Sequence, residues 1–431
     1  MNLVYILSRS KKPLMPCKPA IARRLLAEKK AKVVSRTPFI LKLLYGATEY
    51  KQEITGGLDT GSTHIGSAAI SQGQVLYQAE VTLRQDVSGK MDQRRSYRRT
   101  KRSRKTRYRP ARFDNRGKKG SVAPSLRSKL DSHHRERKAV ESILPITQWR
   151  VELASFDIHK ISNPSLSKKQ GWTYQNGEQK GFYNLKAYVL HRDQYKCQQC
   201  GTQKGKLHVH HLIYKSQGGT DEPGNLITLC EKDHKALHAG ELNNISEKLT
   251  KKITKKNKSK TKHATEMGIL RSQLKKDWPS LIETFGYETK FKREQLLQVS
   301  KSHANDAIAI CYDGSSDLKS WTQALLKKKH VSKGDYQQTC GKRSEKRVPT
   351  DKLFGFRKFD LVETPYGIGF MKGKRSTGYF AVAQLDGTKI HDSVNIRKSC
   401  RRLTARKTTL IQREGARLLH ALKSMVSAAA D

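Results

Sequence analysis

No stretch of this 431-residue sequence approaches the ~20 consecutive apolar residues that a membrane-spanning helix needs. The opening MNLVYILSRSKKP is too short and too quickly charged to read as a secretion signal. Cysteine is sparse and odd in number, seven in all, so a reducing compartment is expected rather than a disulfide framework. Acidic residues are scarce: 38 Asp plus Glu stand against 86 Lys plus Arg, a formal charge of +48. Such a charge repels itself unless a polyanion neutralises it, which points to nucleic acid. Apolar residues make up only 35% of the chain, low for one large core. At ~100–200 residues per domain, two to four units joined by basic linkers are expected. No internal repeat is present.

Asp-Thr-Gly occurs once, in GGLDTGSTHIG at residues 56–66. A pepsin-like protease needs two such loops whose carboxylates share a proton, so that chemistry is excluded. The glycines around Asp59 are expected to let a phosphate backbone approach closely. Around this run, residues 1–50 read as a small α/β module with AIARRLLAEKK as its helix, and residues 56–83 as a β-hairpin. MDQRRSYRRTKRSRKTRYRPARFDNR places basic side chains on every face of a helix, and QWRVELASFDI, residues 148–158, is a further strand. Residues 166–180 turn polar and Gly-rich. KLTKKITKKNKSKTKH reads as an extended connector, and the last eighty residues as short strands with glycine turns.

The densest chemical signal lies at residues 195–238. Cys197 and Cys200 have the CxxC spacing that lets two thiolates reach one zinc, with Cys230 as a third ligand. Asp233 stands at the expected fourth place, so a structural Zn2+ there is Cys3Asp or absent. HVHH fits a strand, GNL a segment after a glycine turn, and HKALH a helix. Strand neighbours point to opposite sides, so His210 and His211 cannot easily bind one ion. A plain zinc ribbon explains the cysteines but not HVHH, Asn225 and HKALH at their places. The order resembles the ββα-metal finger of the HNH nucleases. That resemblance implies His211 as general base, His210 and His234 as Mg2+ ligands, joined by His238, and Asn225 orienting the base.

A second set of acidic candidates is split along the chain: Asp59, Glu152 in WRVELASFD, and Asp306 in SHANDAIAI. His303 and Asp306, three apart, share a helix face. Nucleases of the RNase H-like class collect such carboxylates around two ions ~4 Å apart, which clamp the attacking and leaving oxygens.

With KPLMP at residues 12–16, the whole order resembles the IscB family of transposon-encoded, RNA-guided endonucleases. The resemblance implies an α/β multi-domain protein with an RNase H-like (RuvC) core split in three, an inserted HNH finger and a β-rich C-terminal domain. The boundaries are 1–52 for a PLMP domain, 53–88, 116–165 and 264–325 for RuvC, and 89–115 for an arginine-rich bridge helix. HNH spans 181–243, linkers 166–180, 244–263 and 326–350, and the domain reading a target-adjacent motif 351–431. It further implies a structured guide RNA (omega RNA) held by Arg94, Arg95, Arg98, Arg99, Arg102 and Arg104, and double-stranded target DNA, in a monomeric cytoplasmic ribonucleoprotein. Asp59, Glu152 and Asp306 would hold two Mg2+ ions and HNH one, and Tyr366, Lys372, Lys374 and Arg375 would touch DNA. HNH would cut the RNA-paired strand and RuvC the displaced one, while base pairing reads sequence, as in the CRISPR type II relative. The rival readings are an RNA-independent homing or repair endonuclease and a catalytically idle RNA-binding protein.

Overall fold

The computed structural model describes residues 3–48, 50–103, 122–156, 179–215, 219, 221–241, 262–314, 318, 323–333, 354–373 and 378–413. The chain forms two units, Met1–Ala154 with Ile269–Asp431, and Ser155–Gly268. Among the described residues no helix is long and apolar enough to cross a membrane.

The first unit begins with a three-stranded sheet. β1 (Tyr5–Leu7) runs parallel to β3 (Phe39–Leu43), which pairs antiparallel with β2 (Ala31–Arg36). α1 (Pro19–Ala27) opens on a proline, whose missing N–H costs nothing at a helix start. KPLMP lies back along β1. Pro13 bridges Leu7, the Leu14 amide donates to the Ile6 carbonyl at 2.9 Å, and the Leu14 side chain is buried beside Leu41 and Leu43.

A seven-stranded sheet dominates the unit. β4 (Thr55–Asp59), β5 (His64–Ser71) and β6 (Gln74–Thr82) form three antiparallel strands where one hairpin was expected. The extra turn is at Gln72-Gly73, both with positive φ, the two-residue geometry that matches strand twist. β7 (Gln148–Glu152) lies parallel to β4 with Glu152 opposite Asp59, and β10 (Ile282–Thr284) parallel to β7. Beyond β6 come β11 (Leu326–His330), parallel to it, and β17 (Thr409–Arg413), antiparallel to β11. Residues 326–330 are therefore sheet residues, not part of a 326–350 linker, and residues 409–413 join this sheet rather than the C-terminal domain. Period two is present in LKKKH but disguised, because the inward residue between Leu326 and His330 is a lysine.

That lysine is neutralised across the sheet face. α3 (Pro124–Glu141) covers it and buries Lys129, Ser132, His133 and Glu136 along with Leu130 and Val140, so apolar spacing alone does not reveal the helix. Glu136 accepts hydrogen bonds from Ser67 Oγ at 2.7 Å, Tyr77 OH at 2.8 Å and Lys328 Nζ at 2.9 Å. Alternation sends Gly57, Asp59, Gly66, Ala68 and Ile70 to the opposite face, against the helix His303–Cys311. A Cβ on Gly57 would fall 2.4 Å from the Ala307 carbonyl oxygen, and one on Gly66 only 1.8 Å from that of His303. These glycines admit the protein's own helix, not a phosphate backbone; Gly61 closes a turn on His64, and Gly56 packs on Trp149.

A separate five-stranded antiparallel sheet follows, in order β15 (Lys389–Asn395), β14 (Tyr379–Ala383), β13 (Gly367–Met371), β12 (Leu361–Thr364), β16 (Arg401–Thr404). Its core is Val362, Met371, Phe380, Val382, Val394 and Ile396.

In the second unit, α4 (Leu185–Arg192) is capped by the Asn184 side chain, which accepts from the Ala187 amide at 2.9 Å. β8 (Leu207–His211) pairs antiparallel with β9 (Leu226–Cys230), and α5 (Glu231–Ala239) ends on Gly240 in the left-handed region. Asp193 accepts from the Thr228 amide at 3.0 Å and pairs with Arg192, fastening α4 to β9. The expected linkers 166–180 and 244–263 lie almost wholly outside the described residues, as do Arg104, Lys374 and Arg375.

Candidate active sites

The first site lies in the first unit where β4 and β7 end. Asp59 and Glu152 are register partners on adjacent strands. His303 and Asp306 come from the first turn of α7 (His303–Cys311), whose N-cap Ser302 accepts from the Asn305 amide at 3.1 Å. Each carboxylate commits one oxygen to a neighbour. Asp59 Oδ2 pairs with His303 Nδ1 at 2.7 Å, Glu152 Oε2 accepts from Thr289 Oγ1 at 2.5 Å, and Asp306 Oδ1 from Arg293 Nη1 at 2.5 Å. Thr289 comes from the short helix α6 (Gly286–Phe291), and Arg293 from the π-helical turn that follows it.

Electrostatics tie these groups together. Burial pushes the Asp59 carboxyl up, against the hydrogen bond from His303, and nearby Asp306 adds to the rise. Glu152 is likewise raised by burial, opposed by Thr289, with Asp59 and Asp306 raising it further. Two carboxyls raised by burial and by a neighbouring carboxylate call for cations among them. Oxygen donors suit a hard ion, so in chemistry the set fits Mg2+. Among the described residues, however, the triad is not one of the groups whose ligand atoms all lie within 4.8 Å of one another. The buried Arg293 guanidinium supplies the positive charge that Asp306 faces. Thr289 and Arg293 have no signature in the sequence, since a threonine and an arginine outside any motif look like surface.

The second site is in the second unit. Alternation along β8 turns His208 and His210 toward α5, where His234 and His238 stand one turn apart. The His210 ring lies 5.1 Å from His234 and 5.0 Å from His238, and those two are 4.6 Å apart. Ligand atoms of His210, His234 and His238 all fall within 4.8 Å of one another. Burial, then the neighbouring imidazoles, lowers His210 to about 4, so its ring is neutral, the form that could hold a metal ion. Three imidazoles suit first-row transition ions better than Mg2+. His208 stacks on His234 at 4.9 Å and was not among the expected residues.

His211 points away from that cluster. Its Nε2 lies 2.8 Å from Asp221 Oδ1, and Asp221 Oδ2 meets Lys215 Nζ at 2.9 Å. The hydrogen bond to His211, then that to Lys215, holds the exposed Asp221 carboxyl below the usual range. Asp221 is a partner that sequence reasoning missed, although TDEPGN places an acid before Asn225. Asn225 clamps the backbone two residues beyond His211: its Oδ1 accepts from the Ile213 amide at 2.9 Å and its Nδ2 donates to the Ile213 carbonyl at 3.0 Å.

Cys197, Cys200, Cys230 and Asp233 form the other group with ligand atoms within 4.8 Å. Cys200 Sγ and Cys230 Sγ are 3.7 Å apart, and Cys197 Sγ donates to Asp233 Oδ2 at 3.0 Å. A tetrahedral ion with Zn–S bonds of ~2.3 Å has S···S edges of ~3.8 Å, so the set fits zinc.

Helix α2 (Val87–Ser103) buries no residue. Arg95 pairs with Asp92 at 3.2 Å, while Arg94, Arg98, Arg99 and Arg102 have no acidic partner among the described residues. In the C-terminal sheet Tyr366 stacks on His391 at 3.9 Å, and Lys372 Nζ is tied to the Gly387 carbonyl at 2.7 Å.

Two family models match the chain: residues 4–177 match one described as RRXRR protein, and residues 197–240 one described as HNH endonuclease. Anaredoxin of Nostoc sp. (strain PCC 7120 / SAG 25.82 / UTEX 2576) is 39% identical over 54 residues, 12% of this chain and 71% of that protein. The matched stretch and that protein thus belong to one family. An RRXRR segment followed by an HNH endonuclease domain, on a mixed α/β multi-domain scaffold, fits an IscB-like HNH nuclease, and the chain is a metal-dependent DNA endonuclease.

Proposed function

We propose that this endonuclease is RNA-guided and cuts the two DNA strands at two separate sites. The carrying observation is the gathering of Asp59, Glu152, His303 and Asp306, from three distant segments of one chain, apart from the HNH finger. A stand-alone HNH enzyme has no use for that second constellation. The mixed seven-stranded sheet supports reading it as a RuvC-type core interrupted by α2 and by the HNH unit. Arg94, Arg98, Arg99 and Arg102 of α2, without an acidic partner among the described residues, support a guide-RNA contact made through phosphates, with affinity falling steeply as salt rises. In this reading the C-terminal sheet, with Tyr366, faces the target-adjacent DNA.

In the HNH unit, Asp221 holds the His211 ring through Nε2 and leaves Nδ1 to take the proton from the attacking water. Asn225 fixes the strand end so that this ring stays beside, but not in, the His210–His234–His238 set. A divalent ion on those imidazoles would stabilise charge on the scissile phosphate and the leaving oxygen. The Cys3Asp set would hold zinc and brace the same fold. In the acidic site, Asp59, Glu152 and Asp306 would hold Mg2+, while His303 orients Asp59.

Strand-specific nicking tests this. Asp59→Ala is expected to abolish cutting of the displaced strand alone, and His211→Ala cutting of the paired strand alone. Loss of both strands in either variant refutes the assignment. Sequencing the RNA that copurifies should give a long structured RNA with a variable end. Specific cleavage by RNase-treated protein would instead establish the RNA-independent endonuclease.

A further inference from the structure

Three aromatic rings crowd the segment that grips Glu152, and nothing in the chemistry above uses them. Phe285, Tyr287 and Phe291 are 39%, 71% and 58% exposed, in a chain whose aromatic content is 7%. Phe285 and Tyr287 stack with centroids 5.8 Å apart and planes 11° from parallel. Phe291, four residues after Tyr287, lies on the same helix face. Gly286, between the stacked pair, packs on Glu152: a Cβ there would meet Oε1 at 3.0 Å. Thr289 of the same helix donates to Glu152 Oε2. One short helix thus turns its buried side to the carboxylate and its rings to solvent. The Tyr287 hydroxyl already donates to Glu288 Oε1 at 3.1 Å, so what the residue still offers is its ring.

We propose that Phe285 and Tyr287, with Phe291, form a stacking subsite for unpaired nucleobases of the DNA strand cut at the acidic site. The inference rests on reading Asp59, Glu152 and Asp306 as a nuclease site. Exposed planar apolar rings beside a phosphodiester-cutting centre suit one ligand part above others, the flat face of a base. Base faces are open only in a single strand, since duplex stacking hides them. Charge points the same way. The chain carries +48; Lys301 stands exposed beside Asp59, and Lys290, exposed on the helix itself, is held only loosely, by a 3.9 Å ion pair to Glu294, so both can meet backbone phosphates. Stacking is tolerant of sequence, as a site serving any guided target requires. The bases beside the scissile phosphate would lie on the rings, holding the backbone over Glu152 and Asp59.

The test uses the full-length protein with the RNA it carries. The probe is a single-stranded DNA oligonucleotide with 2-aminopurine next to the cut position, whose fluorescence is quenched by stacking. Phe285→Ala/Tyr287→Ala is expected to lose the quenching and to raise the KM of displaced-strand nicking roughly 10-fold, within the range for losing base–aromatic stacks. Tyr287→Phe should retain both, and paired-strand nicking should be unchanged in every variant. Wild-type quenching in the double variant overturns the proposal. So does equal loss in Tyr287→Phe, or quenching only when the 2-aminopurine is placed in the guide RNA. Asp59→Ala separates the two readings. If it abolishes displaced-strand nicking while the double alanine variant behaves as wild type, the subsite fails and the acidic site stands. If Asp59→Ala still nicks that strand, the acidic-site reading itself has failed.

Discussion

Gly66→Ala places one methyl group against the start of the helix that supplies half of the acidic site. Gly66 sits opposite Asp59 in the β4–β5 register, and its Cβ would lie 1.8 Å from the His303 carbonyl oxygen and 2.5 Å from its carbon. Real Cβ contacts are essentially never shorter than 3.0 Å, so α7 must retreat by more than roughly 1 Å. The strand cannot give way instead, because β5 is held on both sides by β4 and β6. Overpacking of this kind costs about 1–3 kcal/mol, which should lower the melting midpoint by a few degrees. The functional loss should be larger. The shift falls on His303 and breaks the 2.7 Å contact with Asp59, and displacement of ~1 Å at a reacting centre costs about 100-fold in rate. The assay is nicking of a duplex labelled separately on each strand, alongside a thermal melt. Displaced-strand nicking should fall about 100-fold while paired-strand nicking persists, because the HNH finger has its own core. Gly66→Ala with unchanged melting and wild-type nicking of both strands would refute this account of the glycine.

Glu136→Gln should destabilise the first unit by about 3–5 kcal/mol in urea unfolding, because it leaves the buried Lys328 ammonium uncompensated. Glu136→Leu with Lys328→Met should recover most of that loss, and equal destabilisation in both variants would count against the pair. Burial holds His133 and His330 at about 4, below the ordinary 6.5, so they fold neutral. Between those values the unfolded chain binds more protons, so their contribution is full above about pH 6.5 and shrinks as pH falls toward 4. Each would lose on the order of 3 kcal/mol across that window, and His330→Phe should flatten the slope of unfolding midpoint against pH. Cys230→Ser should release zinc to a colorimetric chelator and lower the melting midpoint of the HNH unit; the protein as purified yielding no zinc would sink the Cys3Asp assignment. Exchanging Mg2+ for Co2+ or Ni2+ should favour paired-strand over displaced-strand nicking, since imidazoles serve one site and carboxylates the other. A parallel response of both strands would argue against separate ion types.

Much of the site was legible because its chemistry needs particular side chains at particular steps. The two CxxC thiolates, the HVHH alternation and the His303–Asp306 step name their own geometry, and the structure places each group together. What stayed hidden was hidden by physics rather than by distance. LKKKH did not read as a buried strand because its inward lysine is neutralised by Glu136, which lies on another element, α3. α3 presents a polar face to the interior for the same reason, so its apolar periodicity is faint. The glycines around Asp59 were visible, but their beneficiary was not. Close approach is a property of the backbone, and the sequence does not say whether a ligand or a helix fills the room. Asp221, Thr289 and Arg293 act through single hydrogen bonds on groups 10, 137 and 13 residues away, spacings that no local motif records.

The seven-stranded sheet draws its strands from residues 55–82, 148–152, 282–284, 326–330 and 409–413. β4, β5 and β6 pair as successive hairpins, but the other four pairings join segments distant in the chain, and such pairings form slowly because loop closure precedes the reward of contact. On the ribosome, Asp59 and Glu152 emerge well before the helix bearing His303 and Asp306, and the edge strand that completes the sheet, Thr409–Arg413, emerges well after it. The HNH finger, by contrast, closes within residues 184–240. Under the two-site proposal, the nascent chain would acquire its compact HNH domain early and the split acidic centre late, so synthesis would order the two activities in time.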